Sequence, residues 1–197
     1  MGKLAVTEFI TLDGVIEAPG GGSEFEHSGW SFTFNRGDEG DRFKLDELQA
    51  AEVQLLGRVT YDGFAKAWPS ITDAQGFGEK MNAMPKYVVS TTLTDEDADW
   101  NNSTVIRDDV AGQVSRLKEQ AVGDILVAGS ARLVQTLAEH DLVDEYRLMV
   151  FPIVLGSGKR LFGDRTPRTV LRLLDTTPLG PDGIFVLTYA PVRQAQG

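Results

Sequence analysis

Asp124–Leu137 reads DILVAGSARLVQTL, and its reading decides the fold. Ile125, Leu126 and Val127 are an apolar run with β-branched members, as in a strand buried on both faces. Ala128, Gly129 and Ser130 interrupt it with small residues. From Leu133 the apolar positions Leu133, Val134, Leu137 and Leu142 return at helical spacing. A strand, a small-residue turn and a helix start leave unpaired backbone N–H groups at the positive end of a helix dipole, which attracts phosphate. Gly129 allows close approach to the backbone, and Ser130 is expected to cap the helix with its hydroxyl. An ordinary strand-to-helix turn fits the stretch equally well.

Working outward, two more junctions of this kind appear. Val53–Leu56 (VQLL) is expected as a strand running into Gly57, Arg58, Val59, Thr60 and Tyr61. Arg58, directly after the glycine, is a candidate for an anionic ligand or for a surface ion pair. Lys86–Ser90 (KYVVS) is a strand ending in the hydroxyl run Ser90, Thr91, Thr92. Further strands are expected at Leu4–Ile10, Thr104–Arg107, Glu145–Val154 (broken at Pro152), Arg168–Asp175 and Ile184–Ala190. Helices are expected at Asp41–Ala51, Ala74–Met84 and Val110–Gln120. The loop Val15–Arg36 carries Phe25, Trp30, Phe32 and Phe34 among glycines, and reads either as a site wall or as a surface loop tucking its rings onto the core. Alternating strands and helices give an α/β fold whose mostly parallel sheet binds ligands at strand C-terminal ends. The closing strand pair adds an antiparallel edge. The G-x-G-x-x-G fingerprint is absent, so a standard Rossmann dehydrogenase is not indicated.

Composition bounds the function. With 197 residues, one domain is expected, spanning residues 1–190 and followed by a short tail, 191–197. The absence of cysteine rules out disulfides and thiolate metal centres. With two histidines, His27 and His140, no histidine-rich metal site and no metal are expected. A formal charge of −10 disfavours nucleic acid and anionic membranes, though local arginines suffice for a small anion. No apolar run approaches a membrane span and no signal-peptide core opens the chain. The expectation is a cytoplasmic protein.

Six segments in order resemble the dihydrofolate reductase-like superfamily, and within it the reductase domain of the riboflavin-biosynthesis deaminase-reductase and its stand-alone relatives. They are TLDG at 11–14, LLGRVTY at 55–61, KYVVS at 86–90, VAGSARL at 127–133, LVDEYRL at 142–148 and FPIVLGSGKRLF at 151–162. The resemblance implies a three-layer α/β/α domain and NADPH as cofactor. By the same likeness Gly57, Arg58 and Thr60 meet the phosphates, with Arg58 at the 2′-phosphate. Ser90 and Thr91 meet the adenosine end, and Gly129, Ser130, Ala131, Arg132 and Leu133 cradle the pyrophosphate beneath the nicotinamide. It also implies a homodimer paired through the strand Tyr146–Val154 and Leu161-Phe162. Hydride transfer to a small, possibly heterocyclic molecule is expected. The alternatives are a riboflavin-pathway or folate reductase proper, or a non-catalytic binder of nucleotide or small molecule. Two positions depart from the riboflavin-pathway pattern: Thr7 replaces a lysine and Ala128 replaces a glutamate. For the proton that such a reduction needs, Asp41 is the first candidate and Asp13 the second. Burial by Phe9, Phe43 and Leu45 is expected to raise the pKa of Asp41.

Overall fold

The computed structural model describes residues 1–73, 75–163 and 166–193. Its centre is an eight-stranded sheet in the order β4-β3-β2-β5-β1-β6-β8-β7. The strands are β1 (Leu4–Thr11), β2 (Ala51–Gly57), β3 (Lys86–Val89), β4 (Ser103–Ile106), β5 (Asp124–Val127), β6 (Glu145–Phe151), β7 (Leu171–Leu179) and β8 (Ile184–Pro191). The run from β4 to β6 is parallel, while β8 lies antiparallel to both β6 and β7. The expected parallel sheet with an antiparallel C-terminal edge is what the chain forms.

Two helical layers cover this sheet, because its central strands alternate apolar side chains to both faces. Leu4, Val6, Ile10, Val53, Leu55, Ile125 and Val127 face one way. There they meet α4 (Val110–Gln120) and α5 (Ala131–Glu139) through Val114, Leu117, Leu133, Val134 and Leu137. Ala5, Leu56, Val88 and Leu126 face the other way. They meet Leu48 of α1 (Gly37–Ala50), Tyr61 of α2 (Arg58–Ala67) and Met81 of α3 (Phe77–Ala83). Burying a Leu or Val completely contributes about 1.5–3 kcal/mol, so the doubly covered strands form the most strongly stabilised part of the molecule.

A third cluster explains the aromatic loop. Trp30 is buried edge-on to Phe151 at 5.3 Å, and Phe34 meets the same ring at 5.7 Å. The Trp30 indole donates to the carbonyl of Glu17 at 2.9 Å. The loop therefore tucks its rings onto the β6–β8 sheet; Phe32 alone stays largely in solvent.

Several boundaries move. α1 starts at Gly37 rather than Asp41, and Ala51 joins β2. The third helix is Phe77–Ala83, and Ala74 lies outside the described residues. β6 stops at Phe151, before Pro152. β7 starts later and runs further than expected, to Leu179. It is an edge strand, where Pro178 leaves no ladder hydrogen bond unmade. β8 reaches Pro191, so the domain continues past residue 190; of the tail, 194–197 lie outside the described residues. None of the described helices is long and apolar enough to cross a membrane.

Candidate functional site

Three junctions open side by side at the C-terminal ends of β3, β2 and β5. Register places Gly57 opposite Val89 and Leu55 opposite Val127, so Ser90, Gly57 and Gly129 follow one another along the sheet edge. Two of them interlock: the Gly57 N–H donates to the Gly129 carbonyl at 3.2 Å. A Cβ on Gly57 would lie 3.0 Å from the Ser130 nitrogen and nearer still to its hydroxyl oxygen. Gly129 has a φ of +79°, and its Cβ would lie 2.8 Å from Thr60 Oγ1. Both positions demand glycine, one for close approach and one for its left-handed backbone. The Gly129–Ser130 peptide is cis.

These glycines bring the N-termini of α2 and α5 together, and neither has a side-chain cap. The expected Ser130 cap is not made: Ser130 occupies the N-cap position in extended geometry, but its hydroxyl does not bond the helix. By contrast, Asp109 caps α4 by accepting from Gly112 N. Asp73 accepts from Phe77 N at 2.9 Å and Gly78 N at 2.7 Å at the start of α3. In the first turn of α5, Ala131 and Leu133 turn their side chains into the core, so only their backbone N–H groups face outward; Arg132 is exposed.

Arg58 does have a carboxylate partner. Its Nε lies 2.8 Å from Asp62, one helical turn on, with both side chains over a third exposed. Such a pair contributes only about 0.3–0.5 kcal/mol, which a phosphate can outcompete. Ser90 is nearly buried and accepts from Thr92 N and Leu93 N at 3.2 and 3.0 Å, folding its own loop. Thr91 is exposed and, with Thr94, Asp95 and Arg107, lines an open cleft of about 620 Å³. Arg107 donates there to the Leu93 carbonyl and to Asp95 at 2.9 Å. The sequence had shown it only as a strand end.

The two expected acids lie apart from these junctions. Asp41 is on the outer side of α1, its side chain 54% exposed and bonded to Arg36 Nε at 2.6 Å. Burial by Phe9, Phe43 and Leu45 does not occur, because the face of α1 that meets the sheet carries Gly40, Lys44, Glu47 and Leu48. Asp13 ties the end of β1 to the 155–160 turn. It accepts from Thr11 Oγ1 at 2.6 Å, from Gly156 N at 2.8 Å and from Leu155 N at 3.2 Å. The Thr11 hydroxyl and the two amides hold its carboxyl down at about 2, so it has no proton to give near neutrality.

The carboxyl that does stand at the junctions is Glu8, which sequence reasoning passed over. It alternates with Leu4, Val6 and Ile10 on β1 and is only 8% exposed. Glu8 Oε1 lies 3.6 Å from the Cβ position of Gly129. Burial pushes its pKa up to about 8, against the nearby positive charge of Lys44. The available signal was a lone acid inside an apolar β-branched run. On the opposite face of β1, Lys44 Nζ donates to Thr7 Oγ1 at 2.7 Å and to Glu47 at 2.5 Å.

Known proteins bear on this geometry. Residues 2–185 match the model of the RibD C-terminal domain family. The uncharacterized protein YyaP of Bacillus subtilis (strain 168) is 31% identical over 183 residues, covering 91% of this chain and 90% of YyaP. A protein of Shewanella sp. PV-4 assigned to riboflavin biosynthesis superposes with a TM-score of 0.75 at 19% identity, over 97% of this chain and 99% of that one. The dihydrofolate reductase of Enterococcus faecalis, solved with NADP(H), superposes with a TM-score of 0.60 at 16% identity, over 96% of each chain. These likenesses carry the dihydrofolate reductase-like fold, and the match along almost the whole sequence makes the chain a member of the RibD C-terminal domain family.

Proposed function

We propose that the protein is a cytoplasmic NADPH-dependent reductase acting on a small molecule with a C=N or C=O bond. The observation that carries this reading is the interlocked pair of junctions. Two helix N-termini without side-chain caps meet at glycines packed so closely that no Cβ fits, which leaves backbone N–H groups to face a dinucleotide pyrophosphate. The E. faecalis dihydrofolate reductase, named with NADP(H), shares the fold and supports the choice of cofactor.

The residues present fit the cofactor. Backbone N–H groups of Arg58, Val59 and Thr60, and of Ala131, Arg132 and Leu133, would hold phosphate oxygens, with the Thr60 hydroxyl between the two turns. Arg58, released from Asp62, would face the 2′-phosphate, and Ser90 and Thr91 the adenosine. Bound there, NADPH supplies a hydride. The aromatic wall of Trp30, Phe34 and Phe151 lies on the α1 side of the sheet and would border the substrate. Asp41 and Asp13 enter as a surface ion pair and a turn clamp, so replacing Asp41 with Asn should leave turnover nearly unchanged.

Calorimetric titration with NADPH and NADH tests the reading. Micromolar binding of NADPH with a preference over NADH is the expected result. No binding of either would overturn it, and binding without turnover on a panel of cyclic imines, ketones, dihydrofolate and riboflavin-pathway pyrimidines would favour a non-catalytic binder.

The same reading includes a homodimer. Cross-strand register puts Tyr146, Tyr189 and Leu173 on one face with Val150 and Phe185. Leu173, Phe185 and Phe162 on that face are 41–51% exposed. A second copy covering it would bury at least ~1,000 Å² in total. Light scattering at micromolar concentration should show twice the chain mass; a monomer would refute the pairing.

A further inference from the structure

Glu8 is a buried acid whose carboxyl is held, among the described residues, only by the backbone N–H of Gly129, a contact that favours its charged form but is outweighed by burial. Register pairs Val6 with Val127, so Glu8 stands level with Gly129, just where β5 has left the sheet. Its Oε1 is shielded from solvent and has no hydrogen-bond partner among the described residues. Buried polar groups in native proteins are almost always partnered, and an orphaned one beside a ligand cradle is a group waiting for a ligand. Thr60 Oγ1 and Glu8 Oε1 both lie close to where a Cβ on Gly129 would be, at 2.8 and 3.6 Å, so both side chains border the same turn.

We propose that Glu8 is a ligand-binding residue of this cradle: as a neutral carboxylic acid it donates a hydrogen bond to the anionic dinucleotide seated on the Gly129 turn, and its ionisation expels that ligand. This rests on the dinucleotide reading of the junctions. An O–H can donate to a phosphate oxygen, whereas a carboxylate can only accept and repels it.

The charges around Glu8 permit such a neutral acid. From α1 come Lys44 and Glu47, of opposite sign and bonded to one another at 2.5 Å. From α2 comes uncharged Thr60; the charged Arg58 and Asp62 are paired at 2.8 Å. From β6 the cross-strand neighbour is Leu148, and from the β5–α5 turn only Gly129 backbone; Arg132 on α5 points to solvent. Burial therefore dominates, and Glu8 titrates near 8. If only the protonated form binds, the apparent Kd is the intrinsic one divided by the protonated fraction, which gives a rise of about 30-fold from pH 7 to 9.5. The 2′-phosphate, with a second pKa of about 6, is already about nine-tenths in its fully charged form at pH 7, so its own titration changes little across that window.

The test is calorimetric titration of NADPH into wild type, Glu8→Gln and Glu8→Met from pH 7 to 9.5, with carbon-13 NMR of glutamate-labelled protein without cofactor. Wild-type affinity should fall about 30-fold, and both variants should vary less than about threefold. Glu8→Met should bind about tenfold more weakly than wild type at pH 7, having lost the donor. One carboxyl resonance should titrate near pH 8 and vanish in Glu8→Gln, which separates Glu8 from Lys86, whose burial lowers it into the same range at the opposite end of the sheet. Unchanged pH dependence in Glu8→Gln, or a Glu8 resonance titrating near 4.5, overturns the proposal alone. Absence of NADPH binding at every pH overturns the dinucleotide reading beneath it.

Discussion

Where the parallel strands begin, charged groups are paired in a dense network, although Gln54 Oε1 and Glu47 Oε1 there have no hydrogen-bond partner among the described residues; where β2 and β5 end, two helix starts and Glu8 Oε1 have no charged or capping partner. At the first end Arg147 reaches Asp124 at 2.7 Å and Glu145 at 2.6 Å, and Lys3 meets Glu145 at 2.9 Å. Asp144 accepts from Leu4 N and pairs with Lys118 at 2.6 Å. Buried Lys86 donates to the carbonyls of Asn82, Met84 and Asn101. At the other end two helices lack side-chain caps and Glu8 Oε1 lacks a partner among the described residues. One chain has both kinds of end, and the open one is where the proposed dinucleotide would seat. Saturated polar networks hold a fold; unsaturated ones hold something that the fold lacks.

The largest expected effect breaks the saturated end. Arg147→Ala strands three carboxylates and should cost about 3–5 kcal/mol in chemical denaturation, while NADPH affinity of the folded fraction stays the same. Loss of affinity with little loss of stability would erase the division between the ends.

Next comes Glu8, through pH. Its value of about 8 stands above the ordinary 4.5, so the native chain keeps a proton that the unfolded chain releases. Stability therefore falls as pH rises from about 4.5 to 8. Glu8→Gln should be more stable than wild type at pH 9 by roughly 2–4 kcal/mol and nearly equal to it at pH 4. Thermal melts at the two pH values decide this, and an equal change at both would mean that Glu8 carries its charge in the fold.

Gly57→Ala sharpens the comparison at the open end. Its Cβ meets Ser130, pushing the two helix starts apart, and NADPH should bind about 100-fold more weakly. A capped-end control, Asp109→Ala, should cost about 1 kcal/mol of stability and leave binding alone.

The smallest effects concern Arg58. Because Asp62 competes for it, Arg58→Ala should lower the preference for NADPH over NADH by about tenfold, and Asp62→Ala should raise NADPH affinity by about threefold. Equal losses for both cofactors in Arg58→Ala would move Arg58 to the pyrophosphate.

Local pattern made the junctions legible. Val53–Gly57, Lys86–Ser90 and Asp124–Ser130 each carry a strand signal, a small or hydroxyl residue and then a helix or turn, all within a few residues. What stayed hidden depends on neighbours distant in sequence. Asp41 looked buried because Phe43, Leu45 and Leu48 suggest an apolar stripe, yet the sheet receives Lys44 and Glu47, whose charges are met by Thr7 and Arg147. Glu8 was absorbed into the apolar reading of LAVTEFI, since only the departure of β5 at Val127 leaves it facing a gap. The Arg58–Asp62 pair was within reach of the sequence through its i,i+4 spacing.

The insertion of β5 between β1 and β2 also fixes an order of assembly. Among the described residues β1 pairs with β5 and β6 alone, so it has no sheet partner until the chain has been synthesised through Asp124. During that wait LAVTEFIT is an exposed β-prone segment of the kind that aggregates, and the single charge within it is Glu8. In water that carboxyl ionises near its ordinary pKa and guards the strand against self-pairing. The same side chain is thus an anion in the unfolded chain, where charge disfavours strand self-pairing, and a group whose burial favours the neutral form once the sheet has closed around it.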